Sequence, residues 1–267
     1  MYLMYANCRQ SKMASARRWI TQMKLLKSPV FLSGSALPAR IQKGRSDDEK
    51  TVIVALCLAL SSFALVGCSG KSEPFEEKNY TPDLQVSGIN LAVRDREIEV
   101  SLSEDEQIHI QYSENDKESY DISVSEENVL TMVAVSNKVW TDYIGGKPSA
   151  EDRKIVLQIP NALLDDLSLS TTNEDVSLPA LAVKGSISIS SNGGNIAFQA
   201  LAVGNALTLT VKNGDISGAI VGSYDDFVIQ SQVKKGESNL PDNKEGGKKR
   251  LNVSCNNGDV NIAFVKE

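Results

Sequence analysis

A repeat of 20 residues in the C-terminal half constrains the fold of this 267-residue chain more than any other feature. Each unit alternates apolar and small polar residues before a turn, and the units begin at Leu167, Ile187, Leu207, Phe227 and Leu251. The first four starts are 20 residues apart, and the last follows after 24, with extra polar residues in 242–250. Strict alternation predicts strands with one buried face, because successive side chains of a strand point to opposite sides.

A unit of this length matches one coil of a parallel β-solenoid, in which each strand pairs with its copy one unit later, ~4.8 Å away. We therefore predict an all-β domain of the parallel β-helix or solenoid-like class. In chain order, one inward column is Leu167, Ile187, Leu207, Phe227 and Leu251, and the next is Leu169, Ile189, Leu209, Ile229 and Val253. Cys255 aligns with Thr171, Ser191 and Val211, which predicts a buried, unreactive thiol.

The turns of the repeat are rich in Asn, Gly and Asp, which tolerate positive φ or hydrogen-bond to nearby backbone. The candidate turn residues are Asn173, Asp175, Asn195, Asn213, Gly214, Asp215, Asn257, Gly258 and Asp259. A column of calcium ions held by stacked carboxylates is the alternative, but Asn195 interrupts the acids and the unit at Phe227 has none in register. We predict turn chemistry here, with no metal and no cofactor.

Residues 86–159 are also strand-rich, but their spacing is irregular. We predict that they form irregular first coils or a cap of one continuous domain over 83–267, because a solenoid needs covered ends. An antiparallel β-sandwich for 86–159 is the alternative. Trp140 and Tyr143 lie in a loop of this half, where they either form a contact loop for a sugar or protein or pack over the solenoid end.

The N-terminal part contains an uncharged apolar segment that ends at a cysteine. Residues 51–67 hold no charge and follow Lys50, and the segment ends in Leu65, Val66 and Gly67 before Cys68. This ending resembles the bacterial lipobox, in which a peptidase cuts before the Cys and its sulfur receives a diacylglycerol. The resemblance implies a signal peptide over 50–67, a lipid-anchored Cys68 and a flexible stalk over 68–82. An uncleaved signal anchor with a chance Cys is the alternative.

Residues 1–49 lack clear periodicity, and Asp47, Asp48 and Glu49 are acidic where a signal peptide is normally basic. We predict that this stretch is an extension upstream of the real translation start. With the signal peptide removed and Cys68 lipidated, Cys255 has no partner for a disulfide. The domain must then be held together by its core.

Charge and histidine content argue against several classes of function. From Cys68 onward there are 18 Lys and Arg against 31 Asp and Glu, which is the opposite of the basic footprint that nucleic acids require. The single histidine, His109, argues against His-based zinc sites and Ser-His-Asp catalysis. It alternates with Ile108 and Ile110, which places it on the wet side of its strand. Neighbouring acids on a strand do not converge, so we expect no enzyme.

The repeat resembles the putative-adhesin β-strand-repeat family over roughly residues 86–265. The resemblance lies in the units that end at Asn213-Gly214-Asp215-Ile216 and Asn257-Gly258-Asp259-Val260, and in the entry segment 155–160 before Leu167. It implies a right-handed solenoid-like domain displayed on a cell envelope, and it carries no catalytic residues. Asn173-Glu174-Asp175 and Gly193-Gly194-Asn195 depart from the pattern.

These observations predict a lipid-anchored binding or adhesion module on the extracytoplasmic side of a cell membrane. Its partners would be the membrane, through the anchor, and a protein or glycan ligand. An accessory or regulatory protein that binds a membrane or cell-wall component of its own cell is the alternative. A glycan-cleaving enzyme is the third class, and the sequence shows no groove of convergent acids that would support it.

Overall fold

The computed structural model describes residues 74–143, 146–160 and 164–266. These residues form two mixed sheets of nine strands each. The strands are β1 (Glu76–Tyr80), β2 (Gly88–Ala92), β3 (Glu97–Leu102), β4 (His109–Glu114), β5 (Glu118–Val124), β6 (Val129–Ser136), β7 (Lys154–Ile159), β8 (Asp166–Thr171), β9 (Val176–Leu178), β10 (Leu181–Val183), β11 (Ser186–Ser191), β12 (Ile196–Val203), β13 (Ala206–Asn213), β14 (Ile216–Val221), β15 (Phe227–Lys235), β16 (Asn243–Lys244), β17 (Lys249–Asn257) and β18 (Val260–Val265). Short 3-10 turns lie at Trp140–Tyr143, Glu151–Arg153 and Tyr224–Asp226.

The first sheet has the order β1-β4-β7-β3-β9-β12-β14-β18, with β10 paired to β12, and the second has the order β16-β15-β17-β13-β11-β8-β2-β6-β5. Most neighbours are parallel, because the chain passes from one sheet to the other and back before it reaches the next neighbour. The all-β prediction is confirmed. Among the described residues, no helix is long and apolar enough to cross a membrane.

The 20-residue repeat sets the register of both sheets. In the second sheet Leu167 pairs with Ile187, which pairs with Leu207. In the first sheet Val176 pairs with Ile196, and Ile196 pairs with Ile216. All of these side chains are buried in one apolar cluster. Each contributes about 1.5–3 kcal/mol by leaving water, so the inward columns are the main cohesive contribution.

The predicted chain order of the columns is wrong at the C-terminal end. Leu207 pairs directly with Leu251, and Leu251 then pairs with Ile229. The coil that contains β17 and β18 is therefore inserted between β13–β14 and β15, and Phe227 is not in the Leu251 row. The Asn-Gly-Asp turn of the last coil stacks on its copy at 213–215, and the turn of the Phe227 coil, Lys235-Gly236-Glu237, stacks on the other side of the last coil.

The N-terminal half continues the same two sheets. Strands β2 and β6 pair in parallel, as do β3 and β7, and β2 and β3 connect them in parallel to β8 and β9. The alternative of an antiparallel sandwich for 86–159 is therefore wrong. The antiparallel strands β1, β4 and β5 complete this end of the sheets.

Strand β1 corrects the expected stalk. Residues 76–80 pair with β4 instead of forming a linker, so the ordered domain begins before residue 83. The segment between Cys68 and the first strand is correspondingly short. Cys68, Leu65, Val66, Gly67 and the predicted extension and signal peptide lie outside the described residues.

Candidate functional site: turn ladder, polar face and aromatic turn

The carboxylates and amides of the repeat turns form a ladder along one edge of the domain. Each side-chain oxygen accepts a hydrogen bond from the backbone N–H of the corresponding residue in the neighbouring coil. The steps are Asn195 N to Asp175 Oδ1 at 2.7 Å, Asp215 N to Asn195 Oδ1 at 2.9 Å, Asp259 N to Asp215 Oδ1 at 2.8 Å and Glu237 N to Asp259 Oδ1 at 2.8 Å. Asn195 serves as well as Asp because only one acceptor oxygen is used. The described residues contain no grouping of three or more His, Cys, Asp or Glu side chains that could hold a metal.

The first position of the turn forms a second ladder of Asn side chains. Asn257 Nδ2 donates to Asn213 Oδ1 at 2.7 Å, and Asn213 Nδ2 donates to the carbonyl of Asn192 at 3.1 Å. Asn173 donates to Asp95, in the turn of the preceding coil. The predicted turn residues therefore join one coil to the next through their side chains.

Glycine in these turns is needed because the backbones of successive coils nearly touch. Gly214 and Gly258 have φ of 149° and 143°, in the region that favours glycine. A Cβ on Gly258 would lie 2.1 Å from the Gly214 carbonyl oxygen, and one on Gly214 would lie 2.5 Å from that of Gly194. Glu174 departs from the glycine pattern, and its carboxylate forms an ion pair with Arg153.

The outward face of the second sheet is covered by small polar side chains in register. Two rows run across β13, β17 and β15: Thr208, Asn252 and Gln230 in one, and Thr210, Ser254 and Gln232 in the other. Together with Asp242 and Asn243 they line a groove of about 600 Å³. Asp242 is the only charged residue in its lining.

Several polar side chains of the groove are free to form hydrogen bonds with a ligand. Among the described residues, the side chains of Gln230, Gln232, Thr210 and Ser254 make no hydrogen bond with the protein, and Asn252 Nδ2 only reaches Thr208 Oγ1 at 3.5 Å. Amides and hydroxyls can both donate and accept. This surface therefore suits a neutral ligand rich in hydroxyl or amide groups. The sequence pattern did not reveal this groove, because it predicts Phe227 level with Leu251, whereas the structure pairs Ile229 with Leu251.

The loop with Trp140 and Tyr143 stands out from the domain. Their exposed fractions are 76% and 69%, and Val139 beside them is 57% exposed. The expectation that this loop packs over the solenoid end is therefore wrong. Asp142 holds the turn, because its carboxylate accepts from Lys117 Nζ at 2.6 Å and from the Val139 N–H at 2.9 Å. The Lys117 hydrogen bond is the main reason why the pKa of Asp142 lies below its usual value.

Arg96 is the largest buried side chain behind this turn. It is 2% exposed, and its guanidinium donates to Tyr120 Oη at 2.7 Å, to Glu118 Oε2 at 3.2 Å and to the Asp95 carbonyl at 3.1 Å. Burial raises the pKa of Tyr120 above its usual value. The sequence pattern did not predict this cluster. The available signal was the alternation that places Arg96 in phase with the buried Ile98 and Val100.

Cys255 and His109 occupy the environments that the alternation predicts. Cys255 is fully buried, and burial followed by the nearby Asp215 charge raises the pKa of its thiol. His109 lies between buried Ile108 and Ile110, and it is itself half-buried.

A hydroxyl, the imidazole and a carboxylate meet at His109, which the sequence did not reveal. Thr81 Oγ1 lies 2.8 Å from Nδ1, and Asp105 Oδ1 lies 2.9 Å from Nε2. The hydrogen bond from His109 lowers the pKa of Asp105. Thr81 follows β1 and Asp105 precedes β4, so these contacts connect β4 to the loops beside it.

Comparison with known proteins identifies the family. The Toastrack DUF4097 family matches residues 86–221, so the chain belongs to this family. No curated protein matches the sequence significantly.

Solved structures that match this chain include a putative cell adhesion protein from Clostridium sporogenes ATCC 15579, with 11% identity and a TM-score of 0.46 over 72% of this chain and 100% of that chain. A putative adhesin from Bacteroides fragilis NCTC 9343 has 13% identity and a TM-score of 0.35 over 73% of this chain and 98% of that chain. A putative lipid binding protein from Parabacteroides distasonis ATCC 8503 has 13% identity and a TM-score of 0.32 over 72% of this chain and 97% of that chain.

Proposed function

We propose that this protein is a cell-envelope lipoprotein whose Toastrack domain is a non-catalytic binding module. The lipobox supports a lipid anchor at Cys68, on the extracytoplasmic side. The domain would wind as a right-handed solenoid, as the resemblance implies. The observation that carries the binding role is the groove between β13, β17 and β15, where unpaired amides and hydroxyls line an almost uncharged surface.

The chemistry of the groove favours a neutral ligand with many hydroxyl or amide groups, such as a glycan. Neighbouring side chains within one row lie ~4.8 Å apart along the stack, which is close to the length of one pyranose unit. A regular face of this kind offers equivalent contacts to successive units of an extended ligand, so weak individual contacts can add up.

The binding role is tested with two double variants. Gln230→Ala with Gln232→Ala removes two exposed amides from the groove, whereas Ser217→Ala with Asn261→Ala removes exposed polar groups from the other sheet. Each protein, with Cys68→Ser to keep it free of lipid, is offered the producing cell's own envelope extract and a panel of foreign glycans and matrix proteins. We expect the groove variant to bind about tenfold more weakly and the control to bind like the parent.

The result also separates two roles. Saturable binding to a foreign glycan or protein supports adhesion, whereas binding only to the cell's own component supports an envelope accessory protein. Equal binding by both double variants would exclude the groove as the binding site.

The anchor is tested independently through the cysteines. Cys68→Ser should move the protein from the membrane fraction to the soluble fraction and abolish incorporation of labelled fatty acid. Cys255→Ser, which alters a buried thiol, should change neither property. Retention of the label in the Cys68→Ser protein would contradict lipidation at this residue.

A further inference from the structure

The exposed turn Val139–Tyr143, here called the aromatic turn, has the composition of a membrane-interface contact. Trp and Tyr combine an apolar ring with a polar tip, and such side chains concentrate at the boundary between lipid headgroups and hydrocarbon. Val139, Trp140 and Tyr143 are each more than half exposed. Val133 and Val135 extend the apolar surface along the outward face of β6.

The aromatic turn lies at the same end of the domain as the start of the ordered chain. The Phe75 ring centroid is 5.6 Å from the Arg96 guanidinium carbon, and Arg96 pairs with Glu118 at 3.2 Å. Glu118 also pairs with Lys138 Nζ at 2.5 Å, and this ammonium lies 5.5 Å from the centroid of the Tyr143 ring. A continuous series of contacts therefore connects the base of the stalk to the aromatic turn.

The stalk is too short to separate this end of the domain far from an anchor at Cys68. Only seven residue steps lead from Cys68 to Phe75. Fully extended, they span at most about 25 Å. The second sheet is nine strands deep, which at ~4.8 Å per strand makes the stack about 40 Å long. The aromatic turn is therefore within reach of the bilayer, and the end with β15 and β16 is the far end.

We infer that the aromatic turn inserts into the headgroup region of the membrane that carries the lipid anchor. The coil stack then points away from the bilayer and presents the groove of β13, β17 and β15 at its distal end. This inference rests on the proposed anchoring at Cys68.

The contact depends mainly on apolar area, because only one positive charge remains among the ion pairs beside the turn. Lys117 pairs with Asp142, whereas Lys138 and Arg96 share Glu118. We therefore expect the contact with phosphatidylcholine alone, and only a modest, salt-sensitive gain with mixtures that contain phosphatidylglycerol.

Trp140 itself reports on the contact. The chain has two tryptophans, and cleavage before Cys68 removes Trp19, so all tryptophan fluorescence of the lipidated protein comes from Trp140. The lipidated protein is reconstituted in phosphatidylcholine vesicles that carry bromine on the upper part of the acyl chains. We expect the Trp140 emission to shift to shorter wavelength and to be quenched to less than half by the brominated lipid.

The matched control moves the reporter to the far end. Trp140→Phe combined with Tyr224→Trp places the tryptophan at a side chain that is 41% exposed beside β15. We expect this reporter to remain unquenched in the same vesicles. Quenching of both reporters would overturn the upright orientation, because it would mean that the domain lies on its side.

The remaining outcomes are distinguishable. A protein that floats with the vesicles but leaves Trp140 unquenched overturns this inference alone and assigns the aromatic turn to a protein or glycan contact. A protein that carries no lipid on Cys68 and does not float overturns the anchoring, and with it this inference.

Discussion

Arg96 is a charged residue at a position where the alternation of strand β3 predicts a buried apolar side chain. Removing a guanidinium from water costs several kcal/mol unless its donors are satisfied. Here they meet the Tyr120 hydroxyl, the Glu118 carboxylate and the Asp95 carbonyl. The cluster joins β5 to the β2–β3 turn, so one residue connects the antiparallel end of the domain to its parallel stack.

Replacing Arg96 should therefore be costly. Arg96→Ala leaves Tyr120 and Glu118 with lost hydrogen bonds in a partly buried site, and we expect the free energy of unfolding to fall by about 3 kcal/mol. Arg94→Ala, at an exposed position two residues earlier, should change it by no more than about 0.5 kcal/mol. Denaturant titration of the two variants makes the comparison. If both variants lower the free energy of unfolding equally, the ion pair of Arg96 with Glu118 contributes little to stability.

Alkylation of the buried Cys255 thiol can report on global unfolding of the domain. The attacking species in alkylation is the thiolate, and burial raises the pKa of this thiol as well as shielding it. We expect native Cys255 to resist alkylation from pH 7 to about pH 9 and to react at once in denaturant. The rate in the native protein should follow the unfolding equilibrium when destabilising variants are compared. Rapid labelling under native conditions would contradict a closed core.

At the scale of the element, the turns hold neighbouring coils together. The side-chain oxygen of one turn accepts the backbone N–H of the next, and glycine lets the two backbones approach closely. The same contact joins the turn at 257–259 to its copy at 213–215 on one side and to Lys235-Gly236-Glu237 on the other, so β17 lies between β13 and β15.

Gly214→Ala tests the close approach. The added Cβ would combine an unfavourable φ with a contact of 2.5 Å to backbone, and we expect a loss of about 2–4 kcal/mol. Gly246→Ala is the matched control, since its φ is also positive, at 86°, but nothing lies within 4 Å of its Cβ. It should cost only about 1 kcal/mol. If thermal unfolding gives equal losses, backbone strain alone explains the glycine.

At the scale of the whole molecule, the order of coils in space differs from their order in the chain at both ends. The β2–β3 coil lies between the later coils β6–β7 and β8–β9. At the other end, strand β17 of the final coil lies between β13 and β15, although it follows both in the chain. At one end the β6–β7 coil covers the β2–β3 coil, and at the other end β15 covers β17. The 236–244 segment adds to this cover, with Leu240 buried and the Asn239 side chain paired to the backbone of Ile262.

Deletion of the last coil should therefore destabilise the domain more than deletion of the edge strand β1. Deletion of 249–267 takes away β17, which pairs with β13 and β15, and β18, which pairs with β14, so it leaves three strand edges unpaired. We expect loss of cooperative thermal unfolding and aggregation. Deletion of the chain through β1 removes an edge strand and should lower the melting temperature while preserving a single transition. A soluble, cooperatively folding protein without 249–267 would refute the inserted order.

Part of the architecture follows from the sequence because it depends on local periodicity. The 20-residue spacing gave the register of Leu167, Ile187 and Leu207, and the alternation gave the buried faces and the environment of Cys255. The same logic failed for Phe227, since an alternating strand keeps its buried face when it shifts by two residues, and the structure places Ile229 level with Leu251.

The sequence by itself determined the fold class, the inward columns and the turn chemistry, because those are set by residues two or 20 positions apart along one chain. Only the tertiary structure decided the order of the coils, the burial of Arg96, the groove and the exposure of Trp140 and Tyr143. Each of these depends on pairing between strands that are distant in sequence. Such pairing is chosen by the free energy of the whole stack, in which turns, edges and core are satisfied together.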